Sequence, residues 1–509
     1  AVGQNSLLIN QSGDNNVAVG QNTLANSISG NNNTVIGFQA SFKNETGIGN
    51  TLMGADAGHE ATSGNYNTLL GYQSADQLAG GSNNVAIGNH ALYGNTGATI
   101  ESTVAIGDSA LYSISTALDN LAIGANALQN TVGGNFNLAV GRNALKKNVG
   151  GAGNTALGTY ALQENTSGDD NTALGFFTLV NLQSGSHNLA VGESALRALA
   201  GGSGNTAIGQ NAMSDVESAD NNVAVGHAAL YKNRFLSNTV AVGDSALYNL
   251  GQTINQPAPA GKGNTAVGSK ALFTNDVGAF NTALGYQAGI NTQGEANTFI
   301  GAGAGFSNDF GFGSIYVGQG AGFADSYGNL NTYIGYQSGY NANVLDGSHI
   351  FIGALAGENT TTAGDNIFIG NSAGQNCNTM GNVFLGFGAG TDNTGLGQNV
   401  FVGNFAGNAN MNGESNVFLG HSAGTAADGS SNTFVGEGAG QFATTSSSVF
   451  LGFRSGSNET SDNRLYIENS DSSTPLIYGE FDNDKVEVNG GLQVNSTTDG
   501  FVLPRMTAA

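Results

Sequence analysis

The chain repeats itself every 17 residues. Aligned on the glycine that closes each Asn-Thr-Ala-Val-Gly-like segment, it carries 27 anchors, from Gly3, Gly20 and Gly37 to Gly452, and 19 of the 26 intervals are 17 residues long. A fixed short period over nearly the whole length specifies stacked coils, each burying its apolar face against the next.

Two positions in the repeat exchange size. From Gly88 to Gly268 the residue two before the anchor is Ala, as in Ala139, and the residue four after it is Leu or Met, as in Leu145. From Gly301 to Gly452 the first is Phe or Tyr, as in Phe368, and the second is Gly, as in Gly374. Close packing conserves summed volume, so the two positions are expected to share one space, within a chain or across a subunit interface.

The segment before each anchor reads as a strand. The residue preceding the anchor is aliphatic (Val19, Ile36, Leu70, Val140, Leu385), and the one two earlier is Thr, Val, Leu or Ile (Thr34, Val85, Leu121, Thr172, Ile367). This alternation with branched residues is a β signature. Thr exchanges with Val on that face, which reads as buried. The Ala or Phe between is then an outer apolar face that requires a partner chain.

Asparagine recurs four residues before the anchor, including Asn137 and Asn366. Stacked amides bond along the axis and cap corner backbone groups, so a structural ladder is expected there.

The composition, with 81 Gly, 4 Pro, no Trp and only 10% charged residues, matches neither an ordinary globular enzyme nor charge-driven disorder. The fold predicted is all-β: a parallel β-solenoid of about 27 coils, spanning roughly 130 Å at about 4.8 Å per strand. We divide it into 1–298 (Ala/Leu coils), 299–459 (Phe/Gly coils) and a C-terminal β module over 460–509. The net charge of −23 discourages nucleic acid and anionic lipid as partners. No run approaches the roughly 20 apolar residues of a membrane helix, so no membrane insertion is expected. Ala1-Val2-Gly3 starts inside a repeat, from which we expect further sequence upstream. The one cysteine, Cys377, has no partner for an intrachain disulfide.

The repeat Asn222-Val223-Ala224-Val225-Gly226, followed by Ala229-Leu230, resembles the head repeats of YadA-type trimeric autotransporter adhesins. The later form Asn297-Thr298-Phe299-Ile300-Gly301 is similar to repeats in tail-fibre-like surface proteins. The tail, with Asn463-Arg464-Leu465-Tyr466-Ile467-Glu468-Asn469 and Phe501-Val502-Leu503-Pro504-Arg505-Met506-Thr507, resembles the segment preceding an endosialidase-type intramolecular chaperone in phage and phage-like fibres. These resemblances imply a left-handed β-roll, assembled as a homotrimer in an extracellular fibre on a cell surface or phage-like particle. Its partners would be copies of itself and a surface protein or glycan receptor.

Sites of chemistry are sparse. Gly370-Asn371-Ser372-Ala373-Gly374 and Gly420-His421-Ser422-Ala423-Gly424 match a nucleophile elbow, but both glycines are set by the repeat. The six histidines show no ligand spacing, although threefold symmetry would gather copies of His349, which replaces a ladder Asn. Asp169-Asp170 and Asp482-Asn483-Asp484 lack the Gly-rich calcium repeat. The 25-residue interval between Gly243 and Gly268 inserts a loop in which Asn255, Gln256, Pro257 and Pro259 are the candidate binding residues. We expect no enzyme, cofactor or metal, but an adhesive or receptor-binding fibre. An ice-binding solenoid is the remote alternative, disfavoured while the Thr column reads as buried.

Overall fold

In a computed structural model, which describes residues 1–251, 261–343, 348–361 and 364–493, the chain is a parallel β-solenoid of about 26 turns, all-β and without helix among those residues. It forms two compact units, 1–296 and 297–509. The candidate loop residues Asn255, Gln256, Pro257 and Pro259 lie outside the described residues.

In the first unit each turn contributes one three-residue strand, such as Leu121–Ile123, Leu138–Val140 and Thr155–Leu157. Successive strands pair in parallel and in register, Ala139 opposite Ala122 and Ala156. The remaining residues of each turn form tight corners. Residues at the second and fourth positions past the anchor adopt left-handed backbone, including Asn143 at φ 58° and Leu145 at φ 50°. Such conformations cost an L-residue roughly 1–2 kcal/mol, and burial of the leucine side chain offsets that strain. One irregularity is a two-stranded parallel sheet, Leu78–Gly80 with Ala98–Thr99, in the coils bordering the 19-residue interval.

The anchor glycine is fixed by its neighbour above. A Cβ on Gly141 would lie 2.5 Å from the carbonyl oxygen of Gly158, at a φ of 137° that L-residues rarely adopt. No side chain fits between coils there, which is why the period is marked by glycine.

The second unit repeats this plan with aromatic strands. Phe351, Phe368 and Phe384 pair in register and stack face to face, with ring centroids 4.8 and 4.9 Å apart and planes within 8°. The stack runs from Phe299 to Tyr466, and only its end pairs, Phe299–Tyr316 and Phe450–Tyr466, are tilted, by 40° and 49°. The tail strand Arg464–Ile467 is itself a further parallel rung beside Val449–Leu451. The chain then turns to an antiparallel meander, Ile477–Glu480 and Lys485–Val488. The switch from coil to module therefore falls after residue 467, because Tyr466 still supplies an inward ring.

Candidate functional site: the outward apolar face

The strand centre is the inside of the coil, which reverses the face assignment made from sequence. Ala139 and Phe368 are fully buried, as are Leu145 and the other residues four past the anchor in the Ala/Leu coils. The flanking Thr, Val, Leu and Ile point outward: Leu138 and Val140 are half-buried, and Val17, Met53, Leu174 and Ile208 are exposed. The reason is spatial. Inside each coil the strand centre and the residue four past the anchor share one limited space. In the first unit these are a small Ala and a Leu; in the second a ring and a Gly.

Within one coil the exchange is direct. A Cβ on Gly374 would fall 2.5 Å from two ring carbons of Phe368, and one on Gly305 would fall 2.4 Å from those of Phe299. The early form behaves alike, since a Cβ on Gly58 would meet Leu52 at 2.8 Å.

The asparagines close one corner. Asn137 Oδ1 accepts from the backbone N–H of Asn154 at 3.0 Å and from its side-chain Nδ2 at 3.3 Å, while Asn137 Nδ2 donates to the carbonyl of Gly151 at 2.9 Å. Asn366 is held alike, with its Oδ1 accepting from Asn382 N at 2.9 Å. Each rung thus satisfies backbone groups that the corner would otherwise bury unpaired.

A second buried polar column, seven residues past the anchor, escaped the sequence reading. It contains Asn148, Asn165, Asn275 and Asn410, interrupted by Ser27, Thr131, Leu182, Leu199, Cys377 and Asp325. Asp325 is paired with a change in the aromatic stack. Tyr316 donates its hydroxyl to Asp325 Oδ2 at 2.6 Å, and Asn331 Nδ2 donates to the same oxygen at 2.9 Å. Oδ1 has no hydrogen-bond partner, and the hydroxyl of Tyr333 faces the carboxyl without completing a bond. Burial pushes the Asp325 carboxyl up to about 6, against the hydrogen bonds that favour its charged form. At the far end Tyr466 donates likewise to Glu459, in the equivalent column position. Tyrosine entering the stack together with an acid in this column was the signal available in the sequence.

His349 occupies a ladder position inside the coil. Its Nδ1 accepts from the backbone N–H of Asn366 at 3.3 Å, its Nε2 is unpaired, and burial lowers its pKa to about 4. Its ring is enclosed within its own chain, so symmetry-related copies do not meet at it. The elbow-like motifs lie in corners: Ser372 and Ser422 have left-handed φ of 55° and 56°, with no helix following. Cys377 is buried, and burial pushes its thiol up to about 11, which suppresses reactivity. Among the described residues no group of three or more His, Cys, Asp or Glu is arranged to hold a metal, and no helix is long and apolar enough to cross a membrane.

What remains unusual is the outward sheet face. In the second unit Ile315, Ile350, Leu385, Val417 and Leu419 are exposed along it, as Val17, Met53, Leu174 and Ile208 are in the first. Parallel sheets are ordinarily covered on both faces, and extended apolar surfaces mark contact with another molecule. No protein-family model, curated protein or solved structure matches the chain.

Proposed function

We propose that this chain is the structural and adhesive part of an extracellular homotrimeric fibre, without enzymatic activity, whose coils pack through their outward Thr/Val/Ile/Leu columns. The observation that carries this reading is the apolar outer face on strand after strand in both units, from Val17 to Leu451. A monomeric solenoid gains nothing from aliphatic residues there, whereas a partner chain buries them at about 25 cal/mol per Å² of apolar surface. With the faces reversed, the proposal rests on the Thr/Val/Ile/Leu columns as the face that a partner chain would cover. A receptor-binding tail fibre of a phage-like particle is the closest alternative and shares this assembly.

Light scattering at micromolar concentration is the test. The reading expects three times the 51.2 kDa chain mass, and a monomer overturns it. The reversal also bears on the ice-binding alternative, since Thr34, Thr51 and Thr282 are exposed rather than buried. What now disfavours it is the second outward column, which is aliphatic throughout (Ile36, Met53, Leu284) and offers no repeated hydroxyl pair.

A further inference from the structure

Charged and aromatic side chains are concentrated along one corner of the first unit. Five and six residues past the anchor, successive coils place Arg197 and Ala198, then Asp215, then Tyr231 and Lys232, with Glu217 and Arg234 two positions beyond. Backbone bonds between turns fix their order: Ala198 N donates to Ser214 O at 2.9 Å, Asp215 N to Tyr231 O at 3.0 Å and Lys232 N to Tyr248 O at 3.1 Å. Ala198, Asp215, Glu217, Lys232 and Arg234 line an open furrow of about 410 Å³. It meets at Ala198 a second furrow of about 570 Å³, reaching Arg197, Phe177 and Glu164.

The charges are paired across rungs, Arg234 to Glu217 at 2.6 Å and Arg197 to Asp215 at 3.5 Å, and all four side chains keep substantial exposure. Beside them Tyr231, Tyr248 and Phe273 stack at centroid distances of 5.0 and 5.2 Å, with the Lys232 ammonium 5.4 Å over the Tyr248 ring. Burial together with the nearby Asp215 carboxylate raises the Tyr231 hydroxyl pKa.

We propose that this furrow binds a hydroxyl-rich oligosaccharide chain lying along the coil axis. Three cations (Arg197, Lys232, Arg234) stand against three carboxylates (Glu164, Asp215, Glu217), which excludes strong attraction for a polyanion. The same set offers what vicinal hydroxyls require, carboxylates that accept and guanidinium groups that donate in a planar fork, and Phe177 lends an aromatic surface for apolar C–H groups. The rise of about 4.8 Å per coil is comparable to one sugar ring, so successive rungs meet successive sugars. This names the ligand class for the adhesive reading above and rests on it only for the biological use of binding.

The test titrates the full chain with neutral hexasaccharides (chitohexaose, cellohexaose and mannohexaose) and with a heparin hexasaccharide, followed by calorimetry and saturation-transfer NMR. At least one neutral hexasaccharide is expected to bind more tightly than its disaccharide, to change affinity by less than about threefold between 50 and 300 mM salt, and to lose about tenfold or more in Lys232→Ala/Arg234→Ala. Arg454→Ala, in the second unit, leaves it unchanged. Saturation transfer on the unmodified chain supplies a readout that does not depend on the variant folding. Absence of binding by all three neutral sugars, preference for heparin, or equal affinity in the double variant overturns the proposal. Chain mass, measured in parallel, reports separately on the trimer.

Discussion

The ring of Phe368 fills the space that a Cβ on Gly374 would need, with two ring carbons 2.5 Å from that point, and Gly374 itself holds a left-handed φ of 58°. Glycine is therefore favoured twice, by volume and by backbone. Leu145, in the same place in the first unit, meets neither preference: its backbone is strained at φ 50°, and its side chain is what fills the coil over Ala139.

Gly374→Ala is expected to lower the stability of the second unit by about 1–3 kcal/mol through overpacking, plus roughly 1 kcal/mol of backbone strain. Leu145→Ala is expected to cost about 2–5 kcal/mol in the first unit. The pair is probed by Ala139→Phe with Leu145→Gly. Denaturant melts of both single variants and the double should show a coupling above about 1 kcal/mol, and additive losses would refute a shared space.

Breaking one ladder rung should be costly out of proportion to its size. Asn137→Ala leaves the N–H of Asn154 without its side-chain acceptor and removes one of the two side-chain donors to the Gly151 carbonyl, the other being Asn148 Nδ2 at 2.9 Å. A loss of about 1–3 kcal/mol in urea melts is expected, whereas a change below 0.5 kcal/mol would show that the ladder is decorative.

Two buried groups impose opposite pH dependences on the second unit. Asp325 has a folded pKa near 6 against 3.8 for the free side chain, so the folded state holds a proton that the unfolded state has lost. Stability from this site falls as pH rises from about 4 to 6, by about 3 kcal/mol at most. Asp325→Asn should stabilise the unit at pH 7 and change it little at pH 4. A variant less stable than wild type at pH 7 would contradict this.

His349 runs the other way. Its folded pKa near 4 lies below the ordinary 6.5, so the unfolded chain binds the proton first, and stability falls as pH drops from about 6.5 to 4. His349→Asn restores the ladder residue and should remove that acid loss. Melts at pH 4.5 and 7.5 distinguish the outcomes, and an unchanged pH slope would exclude the histidine as its source.

The outward columns are checked by charge. Leu174→Glu with Ile208→Glu should reduce the chain mass seen by light scattering if these residues pack against partner chains. On a free surface the same changes would stay within about 0.5 kcal/mol and leave mass unaltered.

The period, the strands and the size exchange were legible because each is written many times over. Which face lies inside was not, because alternation at Leu138, Ala139 and Val140 says only which residues share a face. Thr replacing Val looked like burial, and the Ala or Phe between was placed outside as a consequence; that inference ignored how little room one coil encloses. The column through Asn148 and Asp325 was missed for a related reason. A corner that tolerates Asn, Ser, Thr, Leu and Cys shows no residue signature until Tyr316 and Asp325 are seen to change together. In the surface furrow, Arg197, Asp215 with Glu217, and Arg234 lie in three successive coils, and their ion pairs become visible only once the coils are stacked.

The tilted ring pairs sit only at the two ends of the aromatic column, Phe299–Tyr316 and Phe450–Tyr466. A column whose misfits are confined to its ends gains or loses a coil without acquiring another. The extent of the stack then becomes a matter of copy number: duplicating one coil lengthens the aromatic column of the second unit while the ring contacts on either side are kept, so that column is free to vary in length under selection independently of fold.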